Sequence, residues 1–255
     1  MTKRKQRLGK MHVLIPDMQI HPDYTTDHCS WIGKFIADKQ PDVVVNIGDF
    51  ADMPSLSSYD MGRKAGEGAR YSRDIEVVHE GMDRLMGPIS RKTRYNPELH
   101  LTMGNHEERI LRHINAYPHL EGTLGYADLG YDQYGWNVHE FLDPVVVDEI
   151  AYSHYFANPF SGKPMGGSAA NVLKNVGMSC VQGHKQTLET ATRTCPITGK
   201  QEWCIIAGAA YPYDFPYKGP TGHRHWRGVV VLNEVEDGDF DPSFVSLRYL
   251  EKNYG

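Results

Sequence analysis

Asp42-Val43-Val44-Val45-Asn46-Ile47-Gly48-Asp49-Phe50-Ala51-Asp52 is the stretch that decides the architecture. A continuous run of β-branched apolar residues, without polar alternation, marks a strand buried on both faces, the kind found in parallel sheets covered by helices. Gly48 ends the run and lets the backbone turn sharply, so Asp49 stands just past the strand end. Working outward, Met11 to Pro16 is a second short apolar run, followed by Asp17-Met18-Gln19. Between the two runs, Thr26 to Lys39 has the periodicity of a helix, with Trp31, Phe35 and Ile36 on one face. This is a β-α-β opening with polar chemistry at both strand ends.

Downstream, a polar insertion from Met53 to about Arg70 precedes a helical pattern over Asp74 to Met86, and Leu99 to Met103 supplies the next strand before Gly104-Asn105-His106-Glu107. A helix is expected after His106, because Glu107 and Glu108 suit a helix N-terminus and Ile110, Leu111 and Ile114 recur at helical spacing. The C-terminal half changes character. Strands are expected at Val145 to Val147, Ile150 to Tyr155, Met178 to Gln182, Thr187 to Thr194, Glu202 to Ala207, Val229 to Val235 and Phe244 to Tyr249, with Ser168 to Val176 the one helical stretch among them. The expected fold is α/β, of mixed α+β character, with two packed mixed β-sheets flanked by helices.

The chain has 255 residues, 40% of them hydrophobic, with no low-complexity linker, so one domain is expected over 11–255 with the insertion at about 53–70. The first ten residues carry five Lys or Arg and read as a disordered basic arm; no apolar stretch follows that would serve as a signal peptide or membrane span. A cytoplasmic protein is expected. The net charge of -5 argues against general affinity for nucleic acid, although part of the acidic excess is carboxylate that a metal would neutralise. Cys29, Cys180, Cys195 and Cys204 form no CxxC and read as small reduced residues.

Five polar motifs carry the chemistry: Asp17-Met18-Gln19, Gly48-Asp49-Phe50-Ala51-Asp52, Gly104-Asn105-His106-Glu107, Ser153-His154 and Gly183-His184-Lys185-Gln186. Residues just beyond the ends of neighbouring strands converge on one rim of a sheet, which would bring Asp17, Asp49, Asn105, His154 and His184 together. Asp49 has two oxygens with which to bridge two cations, Asn105 and His154 add neutral ligands, and His184 completes a position. Mixed nitrogen and oxygen donors suit Mn, Fe or Zn better than Ca. Two cations roughly 3.5 to 4 Å apart would clamp a phosphate and make a bound water acidic. His106 reads as a proton donor to a leaving oxygen, oriented by Asp52.

This series resembles the calcineurin-like metallophosphoesterase superfamily, whose pattern runs DxH, GDxxD, GNH(E/D), H and GHxH in that order. The resemblance spans residues 17 to 186 and, with the strand region after it, nearly the whole chain. It implies a four-layer metallophosphoesterase sandwich, a dinuclear metal centre and hydrolysis of phosphoester bonds by a metal-bound hydroxide. Asp17 and Asp49 would hold the first metal, Asp49, Asn105, His154 and His184 the second, with His106 near the leaving group. The short strand before Asp17 and the insertion after Asp52 are similar to a bacteriophage-type branch, which would place the protein in a host cytoplasm. Two departures fall on one metal: Gln19 replaces the His of DxH and Gln186 the last His of GHxH. An amide oxygen is a weaker donor than imidazole, so the Asp17, Gln19 and Gln186 site is expected to bind less tightly and to favour Mn or Mg over Zn. Mn is the favoured ion overall. His21 shares strand parity with Asp17 and is a candidate substitute ligand, although Pro22 follows it.

A literal GHxH also occurs at Gly222-His223-Arg224-His225, but the segment before it, Tyr211 to Pro220, is rich in proline and aromatics and has no strand pattern, so Gly183 to Gln186 is preferred. Arg63, Arg70 and His225 are candidate contacts to substrate phosphate; a solvated surface is the alternative for the arginines and for their neighbours Lys64 and Arg73. Tyr211, Tyr213, Phe215, Tyr217 and Trp226 would stack on bases or simply cover a sheet end. The expected activity is hydrolysis of a phosphodiester in a nucleotide or nucleic acid. A phosphomonoesterase or protein phosphatase of the same fold, and a non-catalytic binding module with a weakened first site, are the alternatives.

Overall fold

In the computed structural model, which describes residues 9–58, 66–215 and 224–255, the run quoted above becomes strand β2 (Val43–Asn46), buried at every position. It lies parallel between β1 (Lys10–Ile15) and β3 (Glu98–Thr102), and β4 (Asn137–His139) extends the sheet in parallel beyond β3. On the other side of β1, β10 (Gly228–Glu236) and β11 (Asp239–Ser246) add antiparallel, giving the order β11-β10-β1-β2-β3-β4. A second mixed sheet is built from β5 (Val145–Val147), β6 (Ile150–Ser153), β7 (Cys180–Gln182), β8 (Leu188–Thr194) and β9 (Gln201–Ala207), in the order β5-β6-β7-β9-β8.

Side-chain parity along the strands assigns the layers. Val13, Ile15, Val44, Val229 and Val231 face a core shared with helices α1 (Asp27–Lys39), α2 (Tyr71–Ser90) and α5 (Leu247–Tyr254), filled by Ile32, Phe35, Val78, Met82, Leu85 and Leu250. The alternate residues Leu14, Val43, Val45, Val230 and Leu232 meet Ile150, Tyr152, Val181, Ile205 and Ala207 between the sheets. On the far face of the second sheet, Ala151, Cys180, Cys204 and Ile206 pack on Ala169, Val172 and Leu173 of α4 (Ala169–Val176). Helices, sheet, sheet and helix thus follow one another, with two mixed sheets flanked by helices as expected. All four cysteines are free and three are buried. Among the described residues no helix is long and apolar enough to cross a membrane.

Three local expectations are revised. Phe244 to Tyr249 is not one strand: β11 ends at Ser246, whose hydroxyl caps the N–H of Tyr249 at 3.3 Å and starts α5, and Leu247 and Leu250 then point into the helical core. The helix after His106 is α3 (Arg109–Ala116), starting later than the acidic pair suggests, because Glu107 turns inward. Strand β4 was not anticipated, since Asn137-Val138-His139 has no apolar run and pairs only with the edge of β3. The basic arm up to residue 8, Arg63, Lys64, Tyr217, Gly222 and His223 lie outside the described residues.

Beyond the strand ends the chain remains tied by main-chain hydrogen bonds, within each sheet and, through Ala210 and Asp17, between the two. The Gln19 N–H donates to the Asp49 carbonyl (2.8 Å), Ile20 N–H to Phe50 (2.7 Å), Ala210 N–H to Asp17 (2.8 Å) and Gly183 N–H to His154 (3.0 Å). The C-terminal ends of β1, β2, β6, β7 and β9 are therefore held as one rim.

In the first turn of α1, fully buried His28 is held by desolvation well below the usual imidazole range, at about 4. The folded pKa lies below the unfolded value of about 6.5, so this contribution to stability is complete above that value and is lost as pH falls toward 4. Between pH 7 and pH 5 the loss should be about 2 kcal/mol. Urea unfolding of His28→Leu should show a decline over that interval smaller than wild type by this amount; equal declines would contradict the assignment.

Candidate metal centre

The rim is organised by a buried carboxylate. Glu107 is fully buried and accepts three main-chain hydrogen bonds: from Gly104 (2.9 Å), Asp49 (3.1 Å) and Ala51 (2.9 Å). The Tyr131 hydroxyl approaches the same group at 3.3 Å. Burial, then the nearby charge of Asp49, pushes the Glu107 carboxyl above the usual range. This clamp joins the turn after β2 to the turn after β3. It also compensates strain, because Gly48 and Asp49 have φ of 81° and 51°, and a non-glycine residue there costs roughly 1–2 kcal/mol. In that conformation Asp49 Oδ1 accepts the His106 N–H at 3.0 Å, leaving Oδ2 turned toward the second sheet.

There it meets His154, which follows β6 and is fully buried. His154 Nδ1 lies 2.9 Å from the Ile47 carbonyl, so this nitrogen carries the hydrogen and Nε2 faces Asn105 Oδ1 at 2.9 Å and Asp49 Oδ2 at 3.3 Å. His184, after β7, brings its ring 5.1 Å from that of His154. Asp49, His154 and His184 each offer one ligand atom, all within 4.8 Å of one another, and this is the grouping at metal spacing among the described His, Cys, Asp and Glu residues. Asn105 adds an amide oxygen beside it.

The electrostatics match that geometry. Burial opposes ionisation of Asp49, but His106 and His154 outweigh it and hold the carboxyl far below its usual range. Desolvation likewise opposes a charge on His154, yet Asp49 and then Asp17 raise it to about 9, so a proton on Nε2 sits among these oxygens. Burial and the neighbouring His154 keep His184 low, at about 4, with a free lone pair. One carboxylate, two imidazoles and an amide oxygen, with Nδ1 of His154 held by a carbonyl, suit a divalent cation of the Mn, Fe or Zn type.

Asp17 is engaged differently. Its Oδ1 accepts the His184 main-chain N–H at 2.9 Å and its Oδ2 accepts Gln186 Nε2 at 3.0 Å. Gln186 Oε1 accepts the Tyr211 hydroxyl at 2.9 Å, and His225 Nδ1 lies 2.9 Å from the Tyr211 hydroxyl oxygen. Gln19 sits on the rim with φ 44° and accepts the Tyr213 hydroxyl on its carbonyl at 2.6 Å. His21 does not join Asp17: its Nε2 is 3.8 Å from Asp52 Oδ2, and its ring edges onto Tyr24 and Phe215.

On the other flank, His106 Nδ1 lies 2.9 Å from the main-chain oxygen of Asp52 and 2.6 Å from its Oδ1, while Nε2 is 3.7 Å from Asp49 Oδ2. Burial lowers the His106 pKa, but Asp49 and Asp52 together raise it above the ordinary value against the opposition of Arg109. Arg109 was missed in the sequence. Its Nη1 donates to the Asp52 carbonyl at 2.7 Å and its Nη2 lies 3.3 Å from His106 Nε2. Its place three residues after His106, across the turn that leads into α3, was the available signal. Tyr24, stacked on Tyr213 at 4.1 Å, was also missed. Arg70 is exposed at the start of α2 and bonds the Ala69 carbonyl at 2.8 Å; Arg63 lies outside the described residues.

No family model matches the chain. The Gene 54 protein of Mycobacterium phage D29 is 26% identical over 251 residues, covering 94% of this chain and 94% of that protein. The Gene 54 protein of Mycobacterium phage L5 is 26% identical over 249 residues, again with 94% of each covered. A solved structure matches 93% of this chain and 99% of its own at 12% identity, with a TM-score of 0.39, too low to carry an argument.

Removing the clamp tests its role. Glu107→Ala leaves three buried amides without their acceptor, at about 1–3 kcal/mol each before relaxation, so the protein should lose roughly 3 kcal/mol or more of stability. An unchanged urea midpoint in this variant would show that the carboxylate does not hold the rim.

Proposed function

We propose that this chain is a metal-dependent phosphoesterase of the calcineurin-like metallophosphoesterase type, hydrolysing a phosphodiester of a nucleotide or nucleic acid. The observation that carries the reading is the meeting of Asp49, His154 and His184 within 4.8 Å, with His106 3.7 Å from Asp49 on the same rim. The order of helix and sheet layers is compatible with a four-layer metallophosphoesterase sandwich. Asp49, Asn105, His154 and His184 would hold the cation, with Mn favoured over Mg, Fe or Zn. Such an ion would polarise a phosphoryl oxygen and make a bound water acidic. The donors already on Asp17 make an Asp17, Gln19 and Gln186 position the weaker of the two that the motif pattern provides.

The chain's own groups supply the rest. His106, kept protonated by Asp49 and Asp52, donates a proton to the leaving oxygen, while Asp52 holds Nδ1 and so aims Nε2. Arg109 adds a second positive charge beside His106, where negative charge gathers on the phosphoryl group. The Tyr24 and Tyr213 stack next to His21 offers an aromatic surface near that leaving group and favours a nucleotide ester. Similarity to two phage proteins is compatible with a viral protein acting in a host cytoplasm. A non-catalytic binding module is the second reading, favoured by the amide that Gln186 turns toward Asp17.

With Mn2+, the purified chain should hydrolyse bis-p-nitrophenyl phosphate in preference to p-nitrophenyl phosphate, and His106→Ala should lower kcat by about 10² to 10⁴ with little change in KM. A monoester preference would refute the diesterase assignment. Hydrolysis of neither ester, together with indifference to His106→Ala, would favour the binding module.

A further inference from the structure

We infer that this chain holds one divalent cation and not two, and that the hydrogen-bond chain Asp17, Gln186, Tyr211 and His225 stands where a second ion would sit. The inference rests on the metal reading proposed above.

Asp17 is fully buried, and a buried carboxylate needs a cation or a set of donors. It has donors on both oxygens, the His184 N–H at 2.9 Å and the Gln186 amide nitrogen at 3.0 Å. The second of these matters most. A ligand presents a lone pair to an ion, whereas Gln186 presents N–H to the carboxylate, which is the opposite chemistry. The amide is held in that sense from behind, because its Oε1 accepts the Tyr211 hydroxyl at 2.9 Å. A tyrosine hydroxyl has one hydrogen and accepts as well, so donation to Gln186 leaves it ready to accept from His225 Nδ1. The resulting polarity runs in one direction, His225 to Tyr211 to Gln186 to Asp17.

Tyr211 is fixed in turn. It is 1% exposed, its ring stacks on Tyr213 at 5.2 Å and edges onto Phe215 at 5.4 Å, and the Arg227 guanidinium lies 5.3 Å from its centre. On the other side the main chain closes on Asp17, since a Cβ added at Gly183 would fall 2.4 Å from Oδ1. The left-handed conformations of His184 and Gln186, with φ of 64° and 60°, divide the labour. The main chain of His184 faces Asp17 while its ring joins Asp49 and His154. Asp17 is therefore a positioning residue for the ligand His184.

The test is a metal count on the full chain, loaded with MnCl2, freed of excess ion and analysed by native mass spectrometry and electron paramagnetic resonance. The expected result is about one Mn2+ per chain with the uncoupled hyperfine pattern of an isolated ion. Two ions, or an exchange-coupled signal, would overturn the inference and leave the proposed metal function standing; no bound ion would overturn the metal reading itself. Asp49→Asn should abolish binding, and Gln186→Leu should keep the single ion, because no ligand is removed. Gln19→His combined with Gln186→His should bring the count to about two. Loss of the ion from folded Gln186→Leu, checked by circular dichroism, would also overturn the inference, and the wild-type count stays decisive if that variant fails to fold.

Discussion

The Glu107 carboxylate is the interaction on which the rim depends. Three amides from two separate turns converge on it, which fixes the end of β2 against the end of β3. Asp49 is held in a left-handed conformation with its N–H committed there. Once Asp49 is set, its two oxygens are divided between the first sheet, through the His106 N–H, and the second, through His154. His154 then closes the seam by reaching back to the Ile47 carbonyl. A fully buried carboxylate thus sets where Asp49 stands and, through it, the side of the rim that His154 meets.

Charge on the rim is compensated locally and unevenly. Asp49 lies among imidazoles and is kept ionised despite complete burial. Asp17, in the same seam, is satisfied by a peptide N–H and a side-chain amide. Two buried carboxylates within one constellation are thereby given different tasks: one keeps an ionised oxygen facing two imidazoles, the other becomes an acceptor that orients main chain. The distinction arises from neighbours, since both residues follow parallel strands of similar character.

Much of this was legible in the sequence, for identifiable reasons. Strands β1, β2 and β3 announce themselves as short apolar runs, and a polar residue just past a buried parallel strand has little choice of direction, so the convergence of Asp17, Asp49, Asn105, His154 and His184 could be anticipated. The bonding of Gln186 could not. Its partners Asp17 and Tyr211 come from distant segments, and an amide gives no sign of which end will face a carboxylate. Glu107 was read as a charge favouring a helix start, because periodicity describes faces and cannot show that a carboxylate will turn inward to collect amides. Likewise the boundary between β11 and α5 depends on one serine hydroxyl, with apolar residues on both sides of it.

The left-handed residues Gln19, Asp49, His184 and Gln186 bear on how the molecule assembles. None has a local reason to adopt that conformation in a free chain; the bonds that impose it come from residues far away in sequence, as with Asp17 and His184. Closing such long loops is entropically demanding and contributes nothing until both sheets are in place. The rim is therefore among the parts of the fold that cost most to assemble, and a cation held by residues 49, 154 and 184 together would find its ligands only on the completed molecule. Binding of such an ion would act on the native state alone, so the free ion concentration would set how deep that native well becomes.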